Sequence, residues 1–337
     1  MRLTVVARRT VLAAACLAAC LLAGQAQAAA PRYSYYVVGD PADVQASPTG
    51  GAALMGGGTD IDAAFAWMNG RSGGGDFLII RTSGTDAYNQ WILDMGGVDS
   101  VATLVIKNRD ASFHPFVIDT IRNAEALFLA GGDQSTYTGL WQGTPVEDAI
   151  HHVVSKNGVI GGTSAGLAVL SEFVYTGERG SAVSSQTLAN PFNRYVTLTR
   201  DFLVIPNMAG TLTESHTVER DRMGRHIGFL ARLINDGWAT EVKGIALDRE
   251  SAFLMLPDGS GSLVGPSSAV AYFIRTPGQP EVCLPKTPLT YRNLSVYKVT
   301  GSATFNVNTW TGTNGTAYSL SAENGVLIST QAGGNIY

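Results

Sequence analysis

Apolar residues recur along this chain at two spacings that alternate with each other. Residues 35–38, 77–80, 101–106 and 126–129 are short, nearly continuous apolar runs. Such runs suit strands buried on both faces. Between and after them, residues 60–68, 88–95, 115–123 and 146–154 carry apolar side chains at helical spacing. Thr59 or Asp60 suits the cap of the first helix. Pro115 stands at an early position of the third, where its missing N–H costs nothing. Strand and helix units in alternation predict an α/β fold with a doubly wound, mostly parallel sheet. In such sheets ligands bind beyond the carboxyl ends of the strands. Three predicted strands run out at 82–84, at 131–134 and at Ser164.

The last of these carries the chain's most informative stretch. Val159-Ile160 leads into Gly162-Thr163-Ser164-Ala165-Gly166, and a second apolar run follows at 167–170. A strand that turns sharply into a helix at a serine is a nucleophile elbow. The hydroxyl of Ser164 then stands clear of the sheet, and the Ala165 N–H points to where an oxyanion would form. The G-x-S-x-G pattern is weak alone in a chain with 39 Gly: residues 70–74 match it too. That copy follows no strand and reads as a loop.

The second half is less regular. Residues 175–200 are polar and weakly periodic. Residues 218–234 predict a strong helix, with Val218, Met223, Ile227, Leu230 and Ile234 near one face, and 244–247 and 252–256 read as strands. From 258 the texture turns rich in Gly, Ser, Thr and Asn, with short β-like runs such as 303–307. This predicts an α/β domain over 31–300 and a β-rich C-terminal extension over 301–337.

At 337 residues, 45% hydrophobic and 15% charged, the chain suits a globular protein. The net charge is −4, with no basic run beyond the first residues, so nucleic-acid binding has no electrostatic support. Residues 1–28 read as an export signal: Arg2, Arg8 and Arg9, then an apolar stretch at 11–22, then Ala26-Gln27-Ala28 as a cleavage site. The chain is therefore expected to be exported, to the periplasm or the medium. Leu17-Ala18-Ala19-Cys20 gives a rival reading as a lipoprotein box with an anchor at Cys20. The apolar stretch is too short to span a membrane, and no later segment is long enough. Cleavage after Ala28 would leave Cys283 as the one cysteine, hence no intrachain disulfide. No His-Glu-x-x-His or Cys-x-x-Cys spacing occurs, so neither a metal nor another cofactor is expected. Oligomeric state is not legible; a homodimer is compatible with the sequence.

A serine nucleophile needs a base, and the base an orienting acid. Of five His, His151 and His152 lie within a predicted helix, and His114 suits a helix start. His216 and His226 remain. His216 precedes the helix predicted from Val218, in a loop dense with functional groups from Glu214 to Arg225. Arg222 and Arg225 would be neighbours on a helix and able to clamp a carboxylate. The plainer reading is a solvated face paired with Glu219 and Asp221.

Gly131-Gly132-Asp133-Gln134, Gly162-Thr163-Ser164-Ala165-Gly166, His216 with Arg220, Arg222, Gly224 and Arg225, and Gly244-Ile245-Ala246-Leu247-Asp248 occur in that order. Together they resemble the motifs of the cyanophycinases, serine peptidases related to peptidase E in the glutamine-amidotransferase-like fold group. The resemblance covers roughly residues 35–270. It implies a peptidase domain with Ser164 as nucleophile, His216 as base, and backbone N–H groups near Gly132 and Ala165 as oxyanion hole. It also implies a pocket lined by Asp133, Gln134, Arg222 and Arg225, with Arg220 in support. The implied substrate is cyanophycin, a polyaspartate bearing arginine on its side-chain carboxyls, cut to β-Asp-Arg dipeptides. The chain departs from the family pattern with Glu214-Ser215-His216-Thr217 for Asp-Gln-His-Phe, with His226 for Leu, and with Asp248-Arg249 for Asp-Glu. For the triad acid, Glu178 fits the family's spacing best. Glu214 is the rival, on the same side as His216 in an extended segment; Glu172 is the third candidate.

Overall fold

The first half of the chain lays down a parallel sheet with helices on both faces. The computed structural model describes residues 32–337. The expected export signal at 1–28 and the Cys20 box lie outside the described residues. In chain order the first half comprises β1 (Tyr33–Gly39), β2 (Ala52–Met55), α1 (Asp62–Arg71), β3 (Phe77–Arg81), α2 (Asn89–Asp94), β4 (Ser100–Ile106), α3 (Pro115–Asn123), β5 (Ala126–Leu129), α4 (Gln134–Trp141), α5 (Pro145–Ser155), β6 (Val159–Thr163) and α6 (Ala165–Ala168). Strands β4, β3, β5, β6 and β2 lie side by side and parallel, and β1 closes one edge antiparallel. Alternate strand residues serve opposite faces, as the pleat requires. Phe77, Ile79, Val101 and Phe128 pack on Phe65 and Met68 of α1 and Ile92 of α2. Leu78, Ile80, Leu104 and Leu129 pack on Val117 and Ile121 of α3 and Val146 and Ile150 of α5. The sheet is thus doubly wound, as the apolar pattern predicts.

The second half comprises β7 (Phe173–Tyr175), α7 (Ser184–Ala189), β8 (Leu198–Arg200), β9 (Thr211–Glu214), α8 (Met223–Asn235), β10 (Lys243–Leu247), β11 (Ala252–Met255), β12 (Ser260–Val264), β13 (Val270–Arg275), β14 (Tyr291–Thr300), β15 (Thr304–Asn306), β16 (Thr311–Thr313), β17 (Thr316–Glu323) and β18 (Val326–Ser329). Strands β11, β12, β15 and β16 extend the first sheet beyond β2, all antiparallel, to ten strands. The others form an eight-stranded second sheet, parallel only where β9 meets β10 and β7. Helix α8 covers its outer face, with Met223, Ile227, Leu230 and Ile234 against Leu212, Ala246, Tyr272 and Ile274.

Two expectations need adjustment, and one strand was not foreseen. The helix expected from Val218 begins at Met223, because residues 216–222 are taken up by a tight turn. Residues 301–337 are β-rich as expected but are no appendage: β15 and β16 join the first sheet, while β17 and β18 join the second. Strand β2 carries no sequence signal, since its four residues sit among glycines, yet it is the central sheet's link to the antiparallel extension. No helix among the described residues is long and apolar enough to cross a membrane. Cys283 is buried and free.

Candidate active site

Parallel neighbours end on the same side of a sheet. The carboxyl ends of β2, β5 and β6 therefore share one edge, and those of β9 and β10 face it from the second sheet. Ser164 follows β6 directly. Its backbone is at φ 53°, ψ −110°, a left-handed conformation that a non-glycine residue avoids unless its surroundings enforce it. They do so here. Its N–H donates to Met55 O at 3.1 Å and its C=O accepts from Ala168 N at 3.0 Å. Gly166 lets the elbow close: a Cβ there would lie 1.9 Å from Leu129 O. The turn pushes the Ser164 hydroxyl out of the strand end and starts α6 at Ala165.

His216 meets that hydroxyl from the other sheet. Ser164 Oγ lies 3.0 Å from His216 Nε2, and His216 Nδ1 lies 2.5 Å from Glu219 Oε2. The carboxylate assigns the tautomer: Nδ1–H donates to Glu219, leaving Nε2 to accept from the serine. The imidazole is buried and Glu219 is 31% exposed. Burial lowers the His216 pKa, opposed by the Glu219 hydrogen bond, so the ring is neutral near pH 7. The bond from His216 holds the Glu219 carboxyl below its ordinary range.

The turn bearing this pair is held at every step. His216, itself at φ 50°, donates its N–H to Gly56 O at 2.9 Å. Both Thr217 N and Thr217 Oγ1 donate to Leu247 O. Asp248 Oδ1 accepts from Val218 N and Glu219 N, each at 2.9 Å. Gly57 lies flat under the ring, where a Cβ would come within 2.2 Å of Nε2. Gly57 and this role of Asp248 are absent from the sequence reading, where Glu219 figures only as a partner for the arginines of a solvated face. The available signal was Glu219 three residues after His216, a spacing that brings the two together in a turn.

Neither carboxylate favoured from the sequence touches His216. Glu178 sits at the tip of a surface turn closed by Gly180 N to Gly177 O at 2.8 Å. Its side chain is 59% exposed beside Arg179. Glu214 ends β9, buried. The strand alternation that would put it beside His216 breaks down because His216 has left the extended conformation. Glu214 instead takes a two-pronged bond from Arg225, Nε to Oε2 at 2.8 Å and Nη2 to Oε1 at 2.7 Å. Burial pushes the Glu214 pKa up, but the Arg225 charge overrides it and the carboxyl stays ionised. Glu172 accepts from Gly210 N at 2.7 Å.

Beside Ser164 opens a cavity of about 280 Å³. Gly132, Asp133, Gln134, Ala165, Arg220, Arg222 and Arg225 all border it, so the residues grouped from the sequence do converge. Their states differ. Arg225 is buried and committed to Glu214, to Ser181 and to the Ala182 carbonyl, with its guanidinium over the Tyr175 ring. Arg222 donates through Nη1 to Ser215 O at 3.0 Å, and burial lowers its pKa to about 10. Arg220 is half-exposed, 3.6 Å from Glu219. Asp133 caps α4 by accepting from Ser135 N. Gln134 donates to Tyr175 O at 3.3 Å. The Gly131–Gly132 bend is pinned by Tyr137 Oη, which donates to Ala130 O at 2.7 Å. Arg220, Arg222 and Arg225 against Glu214 and Asp133 leave one positive charge in excess, which suits a carboxylate-bearing ligand. His226 lies behind this wall, fully buried with no partner for either nitrogen, its pKa pushed down by burial to about 4. His114 serves as a helix cap, accepting from Phe116 N through Nδ1.

A serine on a strand-to-helix elbow, joined through an imidazole to a carboxylate, defines an α/β protein with the constellation of a nucleophilic hydrolase. Known proteins narrow that class. The chain is 26% identical over 174 residues to the cyanophycinase of Synechococcus elongatus, covering 51% of this chain and 49% of that one. It is 28% identical over 181 residues to the cyanophycinase of Geminocystis herdmanii, covering 53% and 60%. The match thus spans about half the length of these curated relatives. Among solved structures, a peptidase from an acI-B1 Actinobacterium superposes with a TM-score of 0.48 at 18% identity, over 68% of this chain and 91% of that one. No protein-family model matches. The chain is thus similar in sequence to cyanophycinases over about half of its length.

Proposed function

We propose that the protein is an exported serine-type peptidase that cleaves β-aspartyl-arginine units from cyanophycin-like polymer. The observation that carries this reading is the continuous Ser164–His216–Glu219 relay at the mouth of a cationic cavity. In it Ser164 Oγ attacks the amide carbonyl while Nε2 of His216 takes the hydroxyl proton. Glu219 steadies the imidazolium, which returns the proton to the leaving amine. The N–H groups of Gly132 and Ala165 stabilise the oxyanion, and water then resolves the acyl-enzyme through the same base. Arg222 receives a substrate carboxylate, with Arg225 as the rigid wall behind it.

A second reading, a peptidase for other aspartyl or isoaspartyl peptides, draws support from one feature. The cavity's two buried or capping carboxylates, Glu214 and Asp133, are engaged by Arg225 and Ser135, so a substrate guanidinium meets acids already in use. Incubation with insoluble cyanophycin and, in parallel, with a panel of β-aspartyl dipeptides separates the two. Release of β-Asp-Arg from the polymer by wild type and not by Ser164→Ala is the expected result. Cleavage of the dipeptides alone would replace it with the second reading.

A further inference from the structure

The turn at the head of α8 is held by a residue far from every motif. Segment 330–337 folds back along β17, with Thr330 N on Ser319 O at 3.0 Å, Tyr318 Oη on Ile336 O at 3.0 Å, and Gln331 Nε2 on Asn335 O at 2.8 Å. These bonds deliver Tyr337 to α8, its ring edge-on to Tyr272. The phenol donates to Asp221 Oδ1 at 2.6 Å and accepts from Met223 N at 3.2 Å. It therefore grips the residues on both sides of Arg222.

We infer that Tyr337 is a positioning residue that fixes the Asp221–Met223 turn and thereby aims Arg222 at the cavity; this rests on the cavity being the substrate site. Asp221 stands at φ 48°, a conformation that needs external restraint in a residue with a Cβ. Its restraints are few: its N–H on Val218 O, its carbonyl taken by Ser184 Oγ, and its carboxylate held by Tyr337. The phenol also satisfies the Met223 N–H at the first turn of α8, which has no intrahelical acceptor. His216 and Glu219, in contrast, are secured separately by Gly56, Leu247 and Asp248. Loss of the phenol thus loosens the binding arginine and leaves the chemical relay in place.

Tyr337→Phe keeps the ring packing and removes only the hydroxyl. Two measurements read the result: amide hydrogen exchange at 221–223, and steady-state kinetics on a soluble β-aspartyl-arginine oligopeptide. Exchange should speed up about tenfold and KM should rise about three- to tenfold, with kcat within about twofold of wild type. Asp221→Ala should reproduce this, and Asp221→Asn, which keeps an acceptor for the phenol, should stay near wild type. Unchanged exchange overturns the inference. So does faster exchange with KM unmoved, or a fall in kcat that matches the rise in KM. If wild type hydrolyses no β-aspartyl peptide, the peptidase reading fails instead, and the exchange rates still decide whether Tyr337 holds the turn.

Discussion

Glu219 is where a single atom decides most. Its carboxylate lies 2.5 Å from His216 Nδ1, opposite the nitrogen that faces Ser164. Glu219→Gln keeps the shape and removes the charge that stabilises a developing imidazolium. Turnover should fall by about 10²- to 10⁴-fold, while Glu178→Gln, at a solvent-facing turn, should be silent. The pH dependence has a definite sign. Burial already holds the His216 pKa below the ordinary imidazole value of about 6.5. The acid limb of kcat/KM in wild type should therefore lie below that value. Glu219 opposes the burial effect, so its removal moves the limb further toward acid. A limb that moves upward in Glu219→Gln, or a Glu178→Gln variant as impaired as Glu219→Gln, would contradict the assignment. At this scale the sequence pointed to the Ser164 and His216 side chains that the fold brings into contact, because G-x-S-x-G after a strand is a local signal and few His were available. It was a poor guide to the acid, because the choice depends on a turn at positive φ that breaks both strand alternation and family spacing.

Among the elements, the tie between β9 and α8 is the one most easily misread. A helix bearing Arg222 and Arg225 looks from its spacing like a clamp for a ligand. In the fold the helix starts late, and Arg225 spends its fork on buried Glu214 at the end of β9. Removing one member of a buried ion pair leaves the other uncompensated, at a cost of about 3–5 kcal/mol. Arg225→Ala should accordingly lower the unfolding free energy by that amount, read from denaturant titration. The double variant Arg225→Ala/Glu214→Gln should lose less than the two single losses combined. A full-stability Arg225→Ala protein with impaired cleavage would restore the ligand-clamp reading. The strands and helices of the first half were legible because each is a clean run at one period, from Phe77–Arg81 to Pro145–Ser155. The late start of α8 was not, because the preceding turn is held at Val218 and Glu219 by the carboxylate of Asp248, which follows a strand remote in sequence.

Over the whole molecule, the site belongs to neither sheet alone. Ser164 rides on the first sheet, His216 and Glu219 on the second, and Gly56–Gly57 after β2 joins them. The strands of 301–337 complete both sheets rather than trail from the domain, so the Gly/Ser/Thr/Asn-rich texture that suggested an extension marks edge strands and tight turns. The central claim is that this two-sheet junction makes the Ser164 hydroxyl a nucleophile. Reaction with a fluorophosphonate probe, read by mass spectrometry of the labelled peptide, tests it most directly. The account predicts covalent modification at Ser164 in wild type, lost in Ser164→Ala and strongly slowed in His216→Ala. A folded wild-type protein left unlabelled, or labelled at any other serine, would contradict it.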